Sequence, residues 1–250
     1  MSQVLSLQKA FDILDELSRH AGGITLGELS SRLEYPKSTV HALLSTMRDR
    51  GVVKQLPSGA YDLGIKLFEY GCVVSRGFDI SRISKPYLER LSLKTGCGAV
   101  ISTIDDAGVV SFDHASAPSG VQIMPELGVR LPLHCTSQGK LMLSLLSDST
   151  ATMLLCERSL TAYTPHSKVD LSDVIAELSV TRERGYAVED GEYRIGLRSV
   201  SAPVRDSSGT VRYALTAIGF LSRTGSEEFR YAVEATLTEA QRLSDALNSF

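Results

Sequence analysis

The stretch Thr25-Leu26-Gly27-Glu28-Leu29-Ser30-Ser31-Arg32-Leu33-Glu34-Tyr35-Pro36-Lys37-Ser38-Thr39-Val40-His41-Ala42-Leu43-Leu44-Ser45-Thr46-Met47 contains two helix starts in quick succession. Thr25 and Glu28 have the spacing of a capping box, in which hydroxyl and carboxylate each satisfy an orphan backbone N–H. This predicts a short helix over about Leu26–Leu33, with Leu26, Leu29 and Leu33 inward. Glu34-Tyr35 breaks it, and the fixed φ of Pro36 suits the first turn of another helix. Val40, Leu43, Leu44 and Met47 mark the buried stripe of that helix, over about 36–50, and Gly51 closes it. At about 100° per residue, Ser38, Ala42, Ser45 and Asp49 fall on the opposite face, with Lys37 and Thr39 flanking its start. The exposed face is small and polar.

Upstream, Leu7, Ala10, Phe11, Leu14 and Leu17 recur at helical spacing and predict a helix from about Ser6 to His20 with that stripe inward. Ala21-Gly22-Gly23 ends it. Downstream, residues 52–56 and 60–63 read as two short strands around the turn Pro57-Ser58-Gly59. Helix, short helix, turn, helix and hairpin, in that order, form a winged helix-turn-helix over residues 1–63. Between residues 36 and 54, Lys37, Arg48, Arg50 and Lys54 oppose Asp49 alone, a local excess of +3. So small an excess holds a phosphate backbone weakly, because each neutralised phosphate adds a limited counterion-release term. A DNA-binding module of this kind needs to act as a dimer or higher oligomer. The same three-helix pattern also serves protein contacts.

Residues 64–78 predict a linker helix whose apolar face the small N-terminal domain cannot cover, and a dimer interface is one natural use. A further helix runs from about Asp79 to Thr95 along Ile80, Ile83, Tyr87 and Leu91, with Pro86 predicting an offset or kink. The period then changes to strands at 97–104, 108–114 and about 120–125. Helical patterns occupy about 137–147, 150–158 and 171–184, and strands return at 186–190, 197–206 and 210–220. Ser226 caps a last helix carrying Phe229, Val233, Leu237, Ala240, Leu243 and Leu247 inward. Residues 79–250 therefore read as an α+β sensor domain, an antiparallel sheet with helices packed on it.

Composition bounds the function. At 250 residues and 43% hydrophobic content the chain can bury two cores, domains commonly running roughly 100 to 200 residues. The 26 basic and 29 acidic side chains leave a formal charge of −3, so any nucleic-acid contact must be local. No stretch approaches the roughly 18 apolar residues of a membrane helix, and the N-terminus lacks a signal-peptide layout; the expectation is a soluble cytoplasmic protein. Cys72, Cys97, Cys135 and Cys156 form no CxxC pair and read as reduced thiols in core or interface positions. The five histidines show no metal-binding spacing, and no nucleotide-binding or nucleophile-elbow motif is present. His134 and Cys135 are neighbours that point apart in an extended segment, which argues against a Cys–His enzyme. No metal, cofactor or catalytic group is expected.

The most chemically suggestive stretch is Leu131-Pro132-Leu133-His134-Cys135-Thr136-Ser137-Gln138-Gly139-Lys140. Thr136 or Ser137 can cap the helix that follows, whose free N–H groups and positive dipole end suit a carboxylate, while Gly139 permits close backbone approach. An ordinary capped helix without a ligand has the same residues.

Four segments together resemble the IclR-type bacterial transcription factors: Ser6-Leu7 through Leu17; Pro36 through His41 with Tyr61-Asp62-Leu63-Gly64; Leu131 through Lys140; and Arg184-Gly185-Tyr186-Ala187-Val188-Glu189-Asp190 with Gly196-Leu197-Arg198 and Ala202-Pro203-Val204. The resemblance implies a winged helix-turn-helix, a linker helix and a GAF/PAS-like effector-binding domain. It implies a homodimer or dimer of dimers on palindromic double-stranded operator DNA, regulated by a small-molecule effector, often an organic or aromatic acid. The candidate DNA-contacting residues are Lys37, Ser38, Thr39, His41, Ala42 and Ser45, with Arg48, Arg50 and Lys54 toward phosphates. The positions matching the family's effector pocket are Ile123, Leu131, Ser137 and Gln138, with Glu189, Ser199 and Thr216. Ala42 stands where the family commonly has Arg, Glu189 where a shorter Asp is usual, and Ser137 and Gln138 where smaller residues are often found. A sensor protein with a partner-docking N-terminus and a small-molecule enzyme are the competing readings; DNA indifference with a stable protein complex marks the first, turnover without DNA binding the second.

Overall fold

The Thr25 hydroxyl accepts from the Glu28 backbone N–H at 3.3 Å, and the Glu28 carboxylate accepts from the Thr25 N–H at 2.9 Å, the reciprocal pair that the spacing predicts. It starts α2 (Leu26–Arg32), which follows α1 (Leu5–Ser18) and precedes α3 (Lys37–Asp49). The antiparallel hairpin of β1 (Val53–Gln55) and β2 (Tyr61–Leu63) then leads into α4 (Ile65–Arg76). The computed structural model describes residues 4–76, 80–105, 108–120, 122–123, 125, 127–206 and 208–248. Its internal contacts divide the chain into two units, Met1–Asp79 and Ile80–Phe250.

In the first unit Ile13, Leu17, Leu29, Val40 and Leu44 form a fully enclosed cluster with Ile24, Val53 and Tyr61. Each such aliphatic side chain contributes roughly 1.5–3 kcal/mol by leaving water. The inward stripe of α1 differs from the sequence expectation. Leu7 and Phe11 are 56% and 57% exposed, while Ile13 and Leu17 are buried. Apolar residues cover so much of this helix that periodicity alone does not say which stripe meets α3. Pro36 sits at the N-cap of α3 rather than inside its first turn. Gly64 joins β2 to α4 where a Cβ would stand 2.1 Å from the Gly51 carbonyl oxygen, so no larger residue fits the junction.

The second unit opens with α5 (Ile80–Thr95), β3 (Gly98–Asp105) and β4 (Gly108–Ala115), followed by α6 (Ser137–Ser144), α7 (Asp148–Cys156) and α8 (Leu171–Arg184). The strands β5 (Ala187–Asp190), β6 (Arg198–Arg205) and β7 (Val211–Gly219) and the helix α9 (Glu227–Leu247) complete it. The sheet is antiparallel with strand order β4-β3-β7-β6-β5. Alternation along β6 divides its faces. Val200 packs with Phe229, Ala232 and Val233 of α9, whereas Ser199 and Ser201 reach the Ser137 hydroxyl of α6. The next layer packs Met142 and Leu143 of α6 against Val174 and Leu178 of α8, with Ala151 and Leu155 of α7. On the other side α5 is tied to α9 through the buried Glu239 carboxylate, which accepts from Arg90 at 3.0 Å and Lys94 at 2.8 Å.

Two expectations change here, and a third falls outside the described residues. The strand expected at about 120–125 is absent from its described residues, as Gly120, Gln122, Ile123 and Pro125 belong to no regular element; residues 121 and 124 lie outside the described set. In α5 the enclosed residues include Ser84 and Leu88, while Ile83 and Tyr87 are half-buried, and the helix runs as one element through Pro86. Residues 77–79, at the expected junction of linker and sensor, lie outside the described residues.

Replacing Thr25 by Ala should lower the stability of the N-terminal unit by about 1 kcal/mol, the usual loss for an N-cap hydroxyl, with Thr25→Ser retaining most of it. Urea unfolding followed by a probe in that unit measures this. An unchanged midpoint in Thr25→Ala would deny the cap its role.

Candidate functional site

Two surfaces concentrate chemistry. The first is the outer face of α3. Lys37, Ser38, His41, Ala42 and Arg48 are exposed there, Thr39 and Ser45 are half-buried, and Arg50, which caps the C-terminus of α3, and Lys54 of β1 are also exposed. Pro36 offers no side-chain cap, so the first N–H groups of α3 have no side-chain acceptor and face solvent at the positive end of the helix, a geometry that suits a phosphate. The basic residues are not equivalent. Lys54 pairs with Asp62 at 3.1 Å, a carboxylate that competes with a phosphate for it, and Arg48 donates to the wing residue Gln55 at 3.0 Å. Gln55 and the exposed Thr46, neither singled out in the sequence, lie on the same surface.

The second is a cavity in the C-terminal unit of about 70 Å³. Register builds its wall. Glu189, Ser199 and Ile218 stand opposite one another across β5, β6 and β7, and Ser201, Thr216 and Val100 form the next row across β6, β7 and β3. Cross-strand partners share a face, so both rows point toward α6. Of the expected effector residues, Ile123, Leu131, Gln138, Glu189 and Ser199 line the cavity. Ser137 and Thr216 do not. They stand behind the lining in a buried hydrogen-bonded chain: Thr216 to Ser201 at 2.8 Å, Ser201 to Ser137 at 2.7 Å, Ser137 to Ser199 at 2.8 Å, and Ser199 donating to Glu189 at 3.0 Å. Sequence reasoning named Thr136 only as a possible helix cap and missed Ser201, Tyr193 and Arg194; Thr136, Tyr193 and Arg194 are part of the lining.

The N-terminus of α6 opens on this cavity. Thr136, not Ser137, is its cap, accepting from the Gly139 N–H at 3.1 Å and donating to the Pro132 carbonyl at 2.6 Å. A Cβ at Gly139 would stand 2.5 Å from the Leu133 Cα and carbonyl oxygen, so glycine alone lets the helix settle onto its own lead-in segment. Glu189 is 3% exposed and accepts three hydrogen bonds, from the Glu192 N–H at 2.8 Å, the Tyr193 N–H at 3.1 Å and Ser199. Burial pushes its pKa up; the bonds from Tyr193 and Ser199 pull against that, and the net direction is upward. Burial first, and the Glu192 and Glu189 carboxylates next, push the Cys135 thiol up to about 12, which leaves it an inert core group. His134 is buried and bonded to the Thr161 carbonyl oxygen at 3.0 Å. Of the other cysteines, Cys72 and Cys97 are half-buried and Cys156 is exposed. Among the described residues no helix is long and apolar enough to cross a membrane, and no three His, Cys, Asp or Glu side chains converge as metal ligands.

The chain matches two family models, the IclR helix-turn-helix domain over residues 6–57 and the bacterial transcriptional regulator IclR C-terminal domain over residues 72–245. It is 30% identical over 248 residues to the HTH-type transcriptional regulator XynR of Escherichia coli K12, covering 99% of this chain and 98% of that protein. The crystal structure of an IclR transcriptional regulator from Alicyclobacillus acidocaldarius superposes with a TM-score of 0.81 at 30% identity, covering 98% of this chain and 100% of that one. An IclR homologue from Microbacterium hydrocarbonoxydans, solved in complex with 4-hydroxybenzoate, shares the fold with a TM-score of 0.81 at 20% identity, covering 98% of this chain and 100% of that one.

Glu189 also makes a prediction about stability. Its folded-state pKa lies above the ordinary value of 4.5, so its contribution is favourable below that value, is lost as pH rises through the folded pKa, and stays lost above it. Glu189→Gln removes this loss. The difference in melting temperature between variant and parent should therefore move in the variant's favour as pH rises across that window. A difference that does not vary with pH would show that Glu189 ionises in the folded protein as it does in the unfolded chain.

Proposed function

The chain belongs to the IclR family of bacterial transcriptional regulators, and from that premise we propose that a small organic acid bound in the α6 cavity controls how its helix-turn-helix units occupy a palindromic operator. The observation that carries the effector half is the meeting, around one cavity, of a helix N-terminus with Glu189 and Arg194. The N-terminus and the guanidinium attract a carboxylate. Glu189 has filled three of the roughly four acceptor positions of a carboxylate, leaving one for a ligand hydroxyl or amine. Burial, which moves Glu189 toward its neutral form, reduces its repulsion of an acid. At about 70 Å³ the cavity is half the roughly 150 Å³ that admits a benzene ring, so a short hydroxy acid fits it as it stands and an aromatic acid requires the segment carrying Ile123 and Pro125 to move outward.

On the DNA side, Ser38, Ala42 and Ser45 face base edges in the major groove, with Thr39 and His41 beside them, and Lys37, Arg48, Arg50 and Lys54 meet phosphates. With this few cations one unit binds weakly, and two units on half-sites about one helical turn apart supply the specificity. Support for pairing comes from α4, where Ile65, Phe68, Val73 and Val74 are each more than 60% exposed, apolar surface that the first unit leaves uncovered.

Three measurements test this reading. Arg50→Ala should lower the slope of log affinity against log salt by about one unit on specific and unrelated DNA alike, and Lys54→Ala by less because Asp62 already pairs with it. Equal slopes for Arg50→Ala and the parent would remove Arg50 from the interface. Phe68→Glu should shift the protein toward monomer in sedimentation and lose operator binding together with it; an unaltered dimer would place the interface elsewhere. Ser199→Ala should leave effector-free operator binding within about twofold while weakening the response to the acid about tenfold, the worth of one hydrogen bond to a charged partner. A parent-like response in Ser199→Ala would move the effector out of this cavity.

A further inference from the structure

The row of side chains that walls the α6 cavity ends on a gap. Glu189, Ser199, Ile218 and Gly98 stand opposite one another across β5, β6, β7 and β3, and the last of them puts no side chain on the face toward α6. Past Ile218, at the end of these strands, lies a second hollow of about 180 Å³. Cys97, Gly98, Ala117, Ser119 and Phe220 line it, together with Ile123 and Ile218, which also line the α6 cavity. Two isoleucines are thus common to both spaces. Among the described residues no charged side chain lines the hollow. A Cβ at Gly98 would meet the Ile218 carbonyl oxygen at 3.3 Å and otherwise nothing closer than 3.7 Å, so the room there comes from the missing side chain. The fold leaves apolar surface in water at this point: Phe220 is 60% exposed, and Ile218 is only half-buried although it sits on the middle strand of the sheet. Such surface gains by being covered.

Length says what covers it. Neighbouring strands lie roughly 4.8 Å apart, which puts Gly98 about 10 Å from Ser199 across β7. An extended chain of about eight carbons has that reach, since C–C bonds of about 1.5 Å advance roughly 1.3 Å each along a zigzag. A single-ring acid with its carboxylate at the α6 N-terminus ends near Ile218 and leaves the hollow empty. We propose that the two spaces are one elongated site, for an unbranched medium-chain hydroxy acid. This rests on the acid-binding role proposed for the α6 cavity: the carboxylate lies at the α6 N-terminus and the hydroxyl donates to Glu189. The alkyl tail passes between Ile123 and Ile218 and ends against Cys97, Ala117 and Phe220. Ile123 belongs to no regular element and both isoleucines are partly in water, so their side chains can turn to admit a chain no wider than their own. The small residues Gly98 and Ala117 then set the length of tail that the site accepts.

Calorimetric titration of the intact protein with β-hydroxybutyrate, β-hydroxyhexanoate, β-hydroxyoctanoate and β-hydroxydodecanoate tests the tail separately from the head. Each fully buried methylene adds about fourfold to affinity, so β-hydroxyoctanoate should bind about thirtyfold or more tightly than β-hydroxybutyrate. β-Hydroxydodecanoate, too long for the hollow, should gain nothing further. Ser199→Ala should weaken all of them alike, by about tenfold. Gly98→Val, which fills the hollow, should erase the gain with length and leave β-hydroxybutyrate within about twofold of its parent affinity. Ala117→Leu should do the same, and it decides if Gly98→Val fails to fold. Equal affinities for the short and long acids would overturn the elongated site; if Ser199→Ala still weakened β-hydroxybutyrate, the α6 cavity would stand without it. Parent-like dependence on length in the filled variants, or full affinity of the long acids in Ser199→Ala, would also overturn it. Absence of binding by every member at millimolar concentration would remove both the elongated site and the acid-binding role of the α6 cavity.

Discussion

The close approach of Gly139 to the backbone of Leu133, which leaves no room for a Cβ, is the constraint from which the site of the C-terminal unit follows. Because no side chain intervenes, α6 lies flush on the segment that leads into it, and all eight of its residues are buried. That depth is what lets a serine hydroxyl on the first turn of a helix reach two serines on the middle of a sheet. A helix raised by one methyl group would part Ser137 from Ser199 and Ser201, and buried hydroxyls left unpaired cost about 1–3 kcal/mol each. The hydroxyl chain, the orientation of Ser199 and the hold of Ser199 on Glu189 all depend on this contact.

The two units use charge in opposite ways. The N-terminal unit keeps its cations at the surface and few in number, so its grip on a polyanion is shallow and adjustable. The C-terminal unit takes charges inside, with Glu189, Glu192, Lys140 and Glu239 each almost wholly enclosed and bonded to specific partners. Such groups tolerate little displacement, because each lost bond inside is dear.

Helices and strands were legible wherever one apolar period dominated, as in α3, α8 and α9. The period was ambiguous in α1, where Leu7 and Phe11 extend the apolar surface beyond the face that Ile13 and Leu17 bury. The described residues of the segment 120–125, Gly120, Gln122, Ile123 and Pro125, join no strand, and strand pairing is a long-range matter that local pattern does not encode. In the candidate site, Glu189, Ser199, Gln138, Ile123 and Leu131 were reachable through the family resemblance, and the structure draws them around one cavity. Ser201 carried a signal that went unused: it follows Ser199 by two, so it shares its face of β6. Whether Thr136 or Ser137 capped α6 was undecidable from composition, because both hydroxyls are suited to it; the sheet decides it by claiming Ser137.

The alternation of β6 has a consequence for how the molecule reaches its structure. Ser199 and Ser201 face hydroxyl partners, while Val200, Ala202 and Val204 on the other face are all fully enclosed. A slip of one residue against β7 would turn the serines into the greasy layer under α9 and the valines into the hydroxyl layer under α6. Both sides would lose at once, so a mispaired strand has no half-stable resting place. During folding this strand checks its own alignment, and the row of groups that shapes a cavity in the finished protein also proofreads the assembly that made it.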